Sequence, residues 1–383
     1  MRHLLSEAHS RAHDAFRRFA ALEIEPAAAQ WDRDRTIPAA AIARFAHAGY
    51  LGALIPQQHG GRGWDALTFG LLNEALGRVS PALTGVLTVQ TMVAMALLKW
   101  GTREQKNQWL PRLANGDVIA SFALTEPAAG SDLNAIAAEF RPAGNGTLHL
   151  TGCKRWISCA QFADVFLVFG KLDQSPAAAL VPRDTAGVHI EPIDDLMGFR
   201  AAGLAQLTFE GVAVPATNLL GKPGFALSYV APVGLHYGRI STACSALGLL
   251  RGCVEESARR AATRKVGGDP ISAIGTIRSL IARMGTDLEA AGLLCYSACR
   301  AEDEHRPEAF EKTLMAKYFT SRAAAAAASQ AVQIHGAAGC HGSSPVSRFY
   351  RDAKVMEIIE GTTQIHEDLL GKALANRVGT MDA

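Results

Sequence analysis

The chain has 383 residues, of which 49% are hydrophobic and 19% are charged. This length and composition predict a globular protein with a large apolar core, divided into two or three domains. The net charge of +2 gives no reason to expect a nucleic acid or an anionic membrane as a partner.

The sequence also carries no sign of export, membrane insertion or metal binding. Its first residues are charged and do not form a secretory signal. The longest apolar stretch, residues 86–98, is interrupted by polar side chains and is too short to cross a bilayer. The seven cysteines form no CxxC pair, so we expect reduced thiols and a cytoplasmic protein. The histidines form no HxxH or HExxH pattern, so we expect no metal.

Residues 1–118 have apolar side chains at helical spacing and are predicted to be helical. Thr102 is predicted to cap one of these helices, with Gln105 in the capping-box position. The glycine-rich stretch 56–63 lacks the Lys-Ser/Thr pair of a phosphate-binding loop, so it is interpreted as a turn.

The pattern changes after residue 117 to short extended runs separated by turn residues. Asn145-Gly146 lies between two such runs and predicts a hairpin. We therefore predict a small β domain over residues 119–225, followed by a helical domain over residues 226–383. Its long helices are predicted at 227–264, 270–304, 308–335, 345–360 and 363–377.

Glu360 lies at the break between the last two predicted helices. Gly361 ends the helical pattern, and Thr362 or Thr363 offers a hydroxyl to begin the next helix. We expect Glu360 in the last turn of its helix, at the negative end of the helix dipole and shielded by the two preceding isoleucines. Both effects would raise its pKa and make it a better proton acceptor near neutral pH. An ordinary exposed glutamate is the alternative interpretation of this position taken alone.

The segment from Ile359 to Ile365 resembles the catalytic-base segment of the acyl-CoA dehydrogenase family, and further segments agree with it in order and spacing. The resemblance covers nearly the whole chain. It implies an α+β multi-domain fold with an N-terminal helical domain, a middle β-barrel domain and a C-terminal four-helix bundle. It also implies FAD as the cofactor.

Two segments of the β domain, Thr125–Asp132 and Gly152–Ser158, resemble the parts of the family that lie along the flavin ring. An ordinary polar turn and a core tryptophan are the alternative interpretations. The resemblance implies that Ser131 also meets the substrate. The flavin contacts that it implies are Phe122, Leu124, Thr125, Gly130, Ser131, Trp156, Ile157 and Ser158.

Segments of the last domain resemble those that bind the nucleotide half of FAD across a subunit interface. Gly267 replaces the usual phenylalanine and Gly275 the usual glutamine, which weakens the expected contacts on the adenosine side. Sharing one site between chains implies a homodimer or homotetramer. The contacts carried over are Arg264, Gln333, Gly336, Thr362 and Gln364.

The resemblance implies that Glu360 removes the α-proton of an acyl-CoA thioester while the β-hydride goes to flavin N5. The thioester carbonyl would accept hydrogen bonds from the Glu360 backbone N–H and from an FAD hydroxyl. Arg239 and Gly361 would contact the substrate, although a salt bridge inside the bundle explains Arg239 equally well. An electron-transferring flavoprotein is the implied electron acceptor.

Three alternatives remain open. The first is an acyl group held on a carrier protein instead of coenzyme A. Gly267 and Gly275 are similar to the replacements in family members that act on such substrates in polyketide or antibiotic pathways. Gln90 and Thr91 hint at a small or polar acyl group if they line the acyl pocket. A flavin monooxygenase or oxidase shares the fold, but Glu360 argues against the monooxygenases. A non-catalytic relative that binds DNA would carry an extra basic region.

Overall fold

The structure is a computed structural model that describes residues 4–381, with side chains described to residue 375. Its first part is helical, as predicted. The predicted capping box is present, because the Thr102 hydroxyl accepts from Gln105 N and the Gln105 side chain accepts from Thr102 N. The helices are α1 (Glu7–Phe19), α2 (Glu25–Asp34), α3 (Ala39–His47), α4 (Ala66–Gly77), α5 (Pro81–Trp100) and α6 (Arg103–Asn115).

Helix α5 is longer than its apolar pattern suggested, because Pro81 is well suited to the first turn of a helix. With 20 residues it is long and apolar enough to pass for a membrane span by length and composition alone. However, 89% of its most apolar 18-residue window is buried inside the protein. It is therefore packed as a core helix, and its composition is weak evidence for a membrane.

The middle part of the chain is a curled sheet of seven strands. β4 lies at its centre, with β5 along one side and β1 and β2 sharing the other. The strand pairings then continue from β2 through β3 and β7 to β6, and no pairing among the described residues joins edge strands β5 and β6. The strands are β1 (Ala120–Ala123), β2 (Glu139–Gly144), β3 (Thr147–Ile157), β4 (Val165–Leu172), β5 (Ser175–Pro182), β6 (Val188–Pro192) and β7 (Ala205–Pro215).

Strand β4 is buried on both faces. Phe166 and Val168 point into the apolar core inside the curl, whereas Leu167 and Phe169 point into the core shared with α5 and α6. This alternation follows from the two-residue period of a strand. The predicted hairpin is confirmed, with positive φ at both Asn145 (51°) and Gly146 (71°).

The last part of the chain is helical again, which confirms the predicted order of helices, sheet and helices. Helix α7 is central, since α4, α5, α8 and α9 all pack against it. A two-stranded hairpin, β8 (Lys265–Val266) and β9 (Asp269–Pro270), follows it. The helices are α7 (Ala231–Thr263), α8 (Gly275–Asp303), α9 (Ala309–His335), α10 (Pro345–Met356) and α11 (Thr363–Met381).

The turn of this small hairpin gives a physical reason for one departure from the family pattern. Gly267 and Gly268 have φ values of 63° and 97°. Two successive positive φ angles favour glycine at both positions of a tight hairpin turn. A phenylalanine at position 267 would be strained in this conformation.

Gln90 joins the helical and β domains instead of facing an acyl group. Its Nε2 donates to Leu113 O at 2.8 Å and to Val118 O at 3.0 Å, and its Oε1 accepts from Ala120 N at 2.7 Å. The side chain is fully buried and its hydrogen-bonding groups are occupied. The expectation that Gln90 signals a polar acyl group is therefore wrong.

We predict that Gln90→Met lowers the free energy of unfolding by about 3 kcal/mol, because three buried backbone groups lose their partner. A denaturant titration of the flavoprotein measures this change. Gln108→Met on the exposed face of α6 is the control and should leave the transition in place. An unchanged midpoint for Gln90→Met would contradict the role of this side chain at the domain junction.

Candidate active site

The turn between α10 and α11 differs from the prediction in one important way. Helix α10 ends at Met356, so Glu360 lies in a turn beyond the helix and not in its last turn. Glu360 itself has a left-handed backbone with φ of 56°. Ile358, expected to shield it, is 54% exposed. The expected effect of the helix dipole and the expected shielding by Ile358 are therefore wrong, although Ile359 is half-buried and Glu360 Oε2 is enclosed.

The Glu360 carboxyl packs directly against the backbone of α7 at Gly238. A Cβ atom on Gly238 would overlap Glu360 Oε2 and lie 2.7 Å from its Cδ and 3.0 Å from Met92 Sδ. The residue as a whole is half-buried, but Oε2 is enclosed and has no hydrogen-bond partner in the described part of the chain. Burial raises the pKa of Glu360 to about 7, against the opposing charges of Arg239 and Lys317. The carboxyl can therefore accept a proton near neutral pH.

Gly238 is a position beside Glu360 that was not predicted from the sequence. Glycine in the interior of a helix costs about 1 kcal/mol relative to alanine, which is a signal that something else needs the space. Gly234, one turn earlier, shows the same feature, since a Cβ there would lie 2.6 Å from the Phe122 ring. These two glycines bring the Glu360 turn and strand β1 against one face of α7.

Two buried cations hold the carbonyl groups of the turn. Arg239 Nε donates to Glu360 O at 3.1 Å, and Lys317 Nζ donates to Gly361 O at 2.6 Å. Arg239 is only 7% exposed, and its guanidinium lies 5.8 Å from the centre of the Phe310 ring. Arg239 thus contacts the backbone of the turn that carries Glu360, and its contact with a substrate stays a prediction.

The segment after Glu360 begins α11 as the sequence suggested. Thr362 Oγ1 accepts from Ile365 N at 3.4 Å, which identifies Thr362 as the capping residue. His366 is buried, and its Nδ1 lies 3.0 Å from Thr362 O. Gln364 is exposed at the surface of the first turn.

The predicted flavin loop is held to strand β3 by a buried ion pair. Lys154 Nζ donates to Leu124 O at 3.0 Å and to Glu126 Oε1 at 2.7 Å. The same carboxylate accepts from Ala137 N and Ala138 N, at 2.7 and 3.0 Å. Burial lowers the pKa of Lys154 to about 8. The sequence analysis did not single out this pair, although both residues lie within the motifs it used.

Trp156 lies at an irregularity in the pairing of β3 with β7 and has φ of 62°. The bulge turns its indole outward, so that 49% of this large apolar side chain is exposed. The adjacent Arg155 N donates to Thr125 O at 2.9 Å, which brings the bulge and the loop together. An open flat ring beside a loop with exposed Gly130 and Ser131 fits an aromatic cofactor such as a flavin.

Three other predicted flavin residues are core residues. Phe122, Leu124 and Ile157 are 8%, 5% and 2% exposed, so only their backbone groups can face a cofactor. Ser158 is half-buried, and its carbonyl accepts from the Ser121 hydroxyl at 2.6 Å.

The predicted nucleotide contacts lie at two separate places. Thr362 and Gln364 are at the start of α11, next to Glu360. Arg264, Gln333 and Gly336 are exposed at the far end of the α7–α9 pair, where Arg260 donates to His335 O. Arg264 follows Gly238 by 26 positions of the chain, almost all of them in α7. At 1.5 Å per residue the two ends are about 39 Å apart. Within a single chain, Arg264 is therefore remote from the Glu360 turn.

Models of the three acyl-CoA dehydrogenase domains match this chain: the N-terminal domain at residues 6–117, the middle domain at 121–212 and the C-terminal domain at 228–375. The chain belongs to the acyl-CoA dehydrogenase family. It is therefore a flavin-dependent oxidoreductase that acts on CH–CH groups, with FAD as its cofactor. Among residues 4–375 no three potential metal ligands form a group.

Curated relatives and solved structures agree with this assignment. The chain is 35% identical to the mitochondrial short-chain specific acyl-CoA dehydrogenase of Mus musculus, over 94% of this chain and 88% of that protein. The structure of butyryl-CoA dehydrogenase from Megasphaera elsdenii matches with a TM-score of 0.93 and 28% identity, covering 97% and 99% of the two chains. A prolyl acyl carrier protein oxidase matches with a TM-score of 0.92 and 26% identity, over 97% and 99%.

Proposed function

We propose that this protein catalyses the α,β-dehydrogenation of a short acyl-CoA thioester and that Glu360 is the base that removes the α-proton. The observation that carries the proposal is the enclosed Glu360 Oε2, which has no hydrogen-bond partner among the described groups. Burial raises its pKa to about 7, so it can take up a proton without first losing a partner. FAD, when bound, accepts the β-hydrogen as a hydride.

The backbone of Glu360 supports the same role. Its N–H donates to no acceptor in the part of the chain that the structure describes. A fixed N–H beside the base can bind the thioester carbonyl and stabilise the negative charge that develops as the α-proton leaves. The carbonyl oxygen of the same residue accepts a hydrogen bond from Arg239, which helps to hold this turn in place before substrate binds.

The packing of α5 against α7 supports a short acyl chain. Gly238 faces Met92, and one turn further along both helices Thr88 Oγ1 and Ser241 Oγ are hydrogen-bonded at 2.6 Å. Another turn on, Thr84 Oγ1 and Ser245 Oγ are hydrogen-bonded at 2.8 Å. We infer that the acyl pocket begins at Glu360 and ends at the Thr88–Ser241 bridge, about one helical turn away.

The separation of the predicted FAD contacts supports a homodimer or homotetramer. Trp156, Ser158 and the 125–131 loop would hold the flavin end of FAD, while Arg264, Gln333 and Gly336 of a second copy would hold the nucleotide end. Trp156 at one end, and Arg264, Gln333 and Gly336 at the other, are exposed and suit such a shared site. An electron-transferring flavoprotein is the proposed electron acceptor, and the free cysteines suit a reducing cytoplasm.

We predict that Glu360→Gln retains FAD but reduces its flavin with butyryl-CoA at least about a thousand-fold more slowly, because the amide cannot accept the proton. Anaerobic stopped-flow bleaching measures the rate. Glu367→Gln is the matched control, because this exposed carboxylate lies seven positions later on α11 and accepts a hydrogen bond from the Tyr318 hydroxyl. Full-rate bleaching by Glu360→Gln would refute the assignment of the base.

We predict that Thr88→Ala raises kcat/KM for hexanoyl-CoA relative to butyryl-CoA by about ten-fold, since it opens the end of the acyl pocket. Thr84→Ala removes the same kind of hydroxyl one turn further away and is the control. Equal changes in both variants, or no change in Thr88→Ala, would show that this bridge does not limit the acyl chain.

The alternative proposal is the same chemistry on an acyl group attached to a carrier protein. The bare Gly267–Gly268 turn and the similarity to a prolyl acyl carrier protein oxidase favour it. The experiment compares rates of flavin reduction by butyryl-CoA and by the same acyl group on a phosphopantetheinylated carrier protein. We expect butyryl-CoA to react at least as fast, and a ten-fold advantage for the carrier-bound substrate would favour the alternative.

A further inference from the structure

Lys317 is a fully buried lysine whose ammonium contacts backbone carbonyl groups. Its Nζ donates to Gly361 O at 2.6 Å and to Glu357 O at 3.4 Å. Burying a cation without a direct ion pair is costly, and an apolar side chain of the same length would avoid that cost. A charge retained in such a place suggests a role beyond packing.

Lys317 and Arg239 come from two different helices, and both donate hydrogen bonds to the turn that carries Glu360. Lys317 comes from α9 and binds the carbonyls on either side of Glu360, while Arg239 from α7 binds the carbonyl of Glu360 itself. Glu360 has a left-handed backbone, which is unfavourable for a residue with a side chain and persists only where its surroundings fix it. These three hydrogen bonds provide that constraint.

We propose that Lys317 is a positioning residue for the base: it fixes the turn that presents Glu360, and its positive charge favours the ionised carboxylate. This inference rests on the proposed role of Glu360. It adds a residue on α9 that contacts neither the reacting bond nor the predicted flavin site.

The charged groups around Lys317 are consistent with this role. Glu360 and Glu357 of the turn and Arg239 of α7 act on its charge. Burial lowers the pKa of Lys317 to about 7, close to that of Glu360. Burial also lowers the pKa of His366 on α11 to about 4, so His366 is neutral at pH 7 and adds no competing charge.

The direction of the expected effect follows from the sign of the charge. A nearby cation stabilises a carboxylate and lowers its pKa, so removing the cation raises the pKa of Glu360. The base must be ionised to accept a proton. The acid limb of kcat/KM, which falls as pH drops through the pKa of the free enzyme's base, therefore moves to higher pH when the charge is lost.

The test is the pH dependence of kcat/KM for Lys317→Gln, which keeps a donor for Gly361 O but removes the charge. We expect the acid limb to move upward by about one pH unit, so that activity well below the limb falls about ten-fold relative to the wild type. Lys317→Arg restores the charge and should restore the limb. Lys312→Met, five positions earlier on α9 and bonded to Ser297, is the control and should leave the limb unchanged.

A second variant, Lys317→Met, separates the two parts of the role. It should show the same shift of the acid limb together with a lower maximal rate, because the turn also loses a hydrogen bond. A wild-type acid limb in Lys317→Gln would overturn the inference about charge, while a loss of activity in Glu360→Gln would still support the proposed base. Full activity in Glu360→Gln would instead overturn the proposed function itself.

Discussion

The contact between the Glu360 carboxyl and the bare backbone of α7 at Gly238 is the constraint on which the rest of the site depends. A carboxyl group placed there loses water and gains no hydrogen-bond donor for Oε2. Burial raises the pKa of this carboxyl more than the two nearby cations lower it. The pKa is therefore about 7, so the group is partly ionised near neutral pH. A base of this kind is useful because accepting a proton relieves the cost of its burial.

A buried carboxyl group without a hydrogen-bond partner destabilises the folded state. It stays in place only if the surrounding fold is rigid. Helix α7 supplies the rigidity, since it packs against α4, α5, α8, α9 and α10 and is joined to α5 by two hydroxyl bridges. The turn itself has no regular structure, so cations from α7 and α9 hold its carbonyl groups. The helices thus position the proposed base. Packing of the large core offsets the unfavourable free energy of burying its carboxyl group.

The β domain contributes a different kind of surface. A bulge near the end of strand β3 exposes Trp156. Beside it lies the 125–131 loop, which is held by the buried Lys154–Glu126 pair. An exposed indole would be unfavourable in an isolated protein, but it suits a flat cofactor. The length of α7 separates the exposed residues near Arg264 from the Glu360 turn, which is why we propose that the working unit contains at least two copies.

The sequence by itself determined the order of helices, sheet and helices, the capping box at Thr102 and the Asn145-Gly146 hairpin. These features depend on periodicity and short-range hydrogen bonds, which a few neighbouring residues encode. The reasons for the behaviour of Glu360 were predicted wrongly, because helix α10 ends earlier and Ile358 faces solvent. Gln90 was likewise assigned to the acyl pocket because a single helix does not reveal which neighbour its polar side chains meet. Only the tertiary structure decided that Gly238, Arg239 and Lys317 surround Glu360, because these residues are 43 to 122 positions distant from it in the chain.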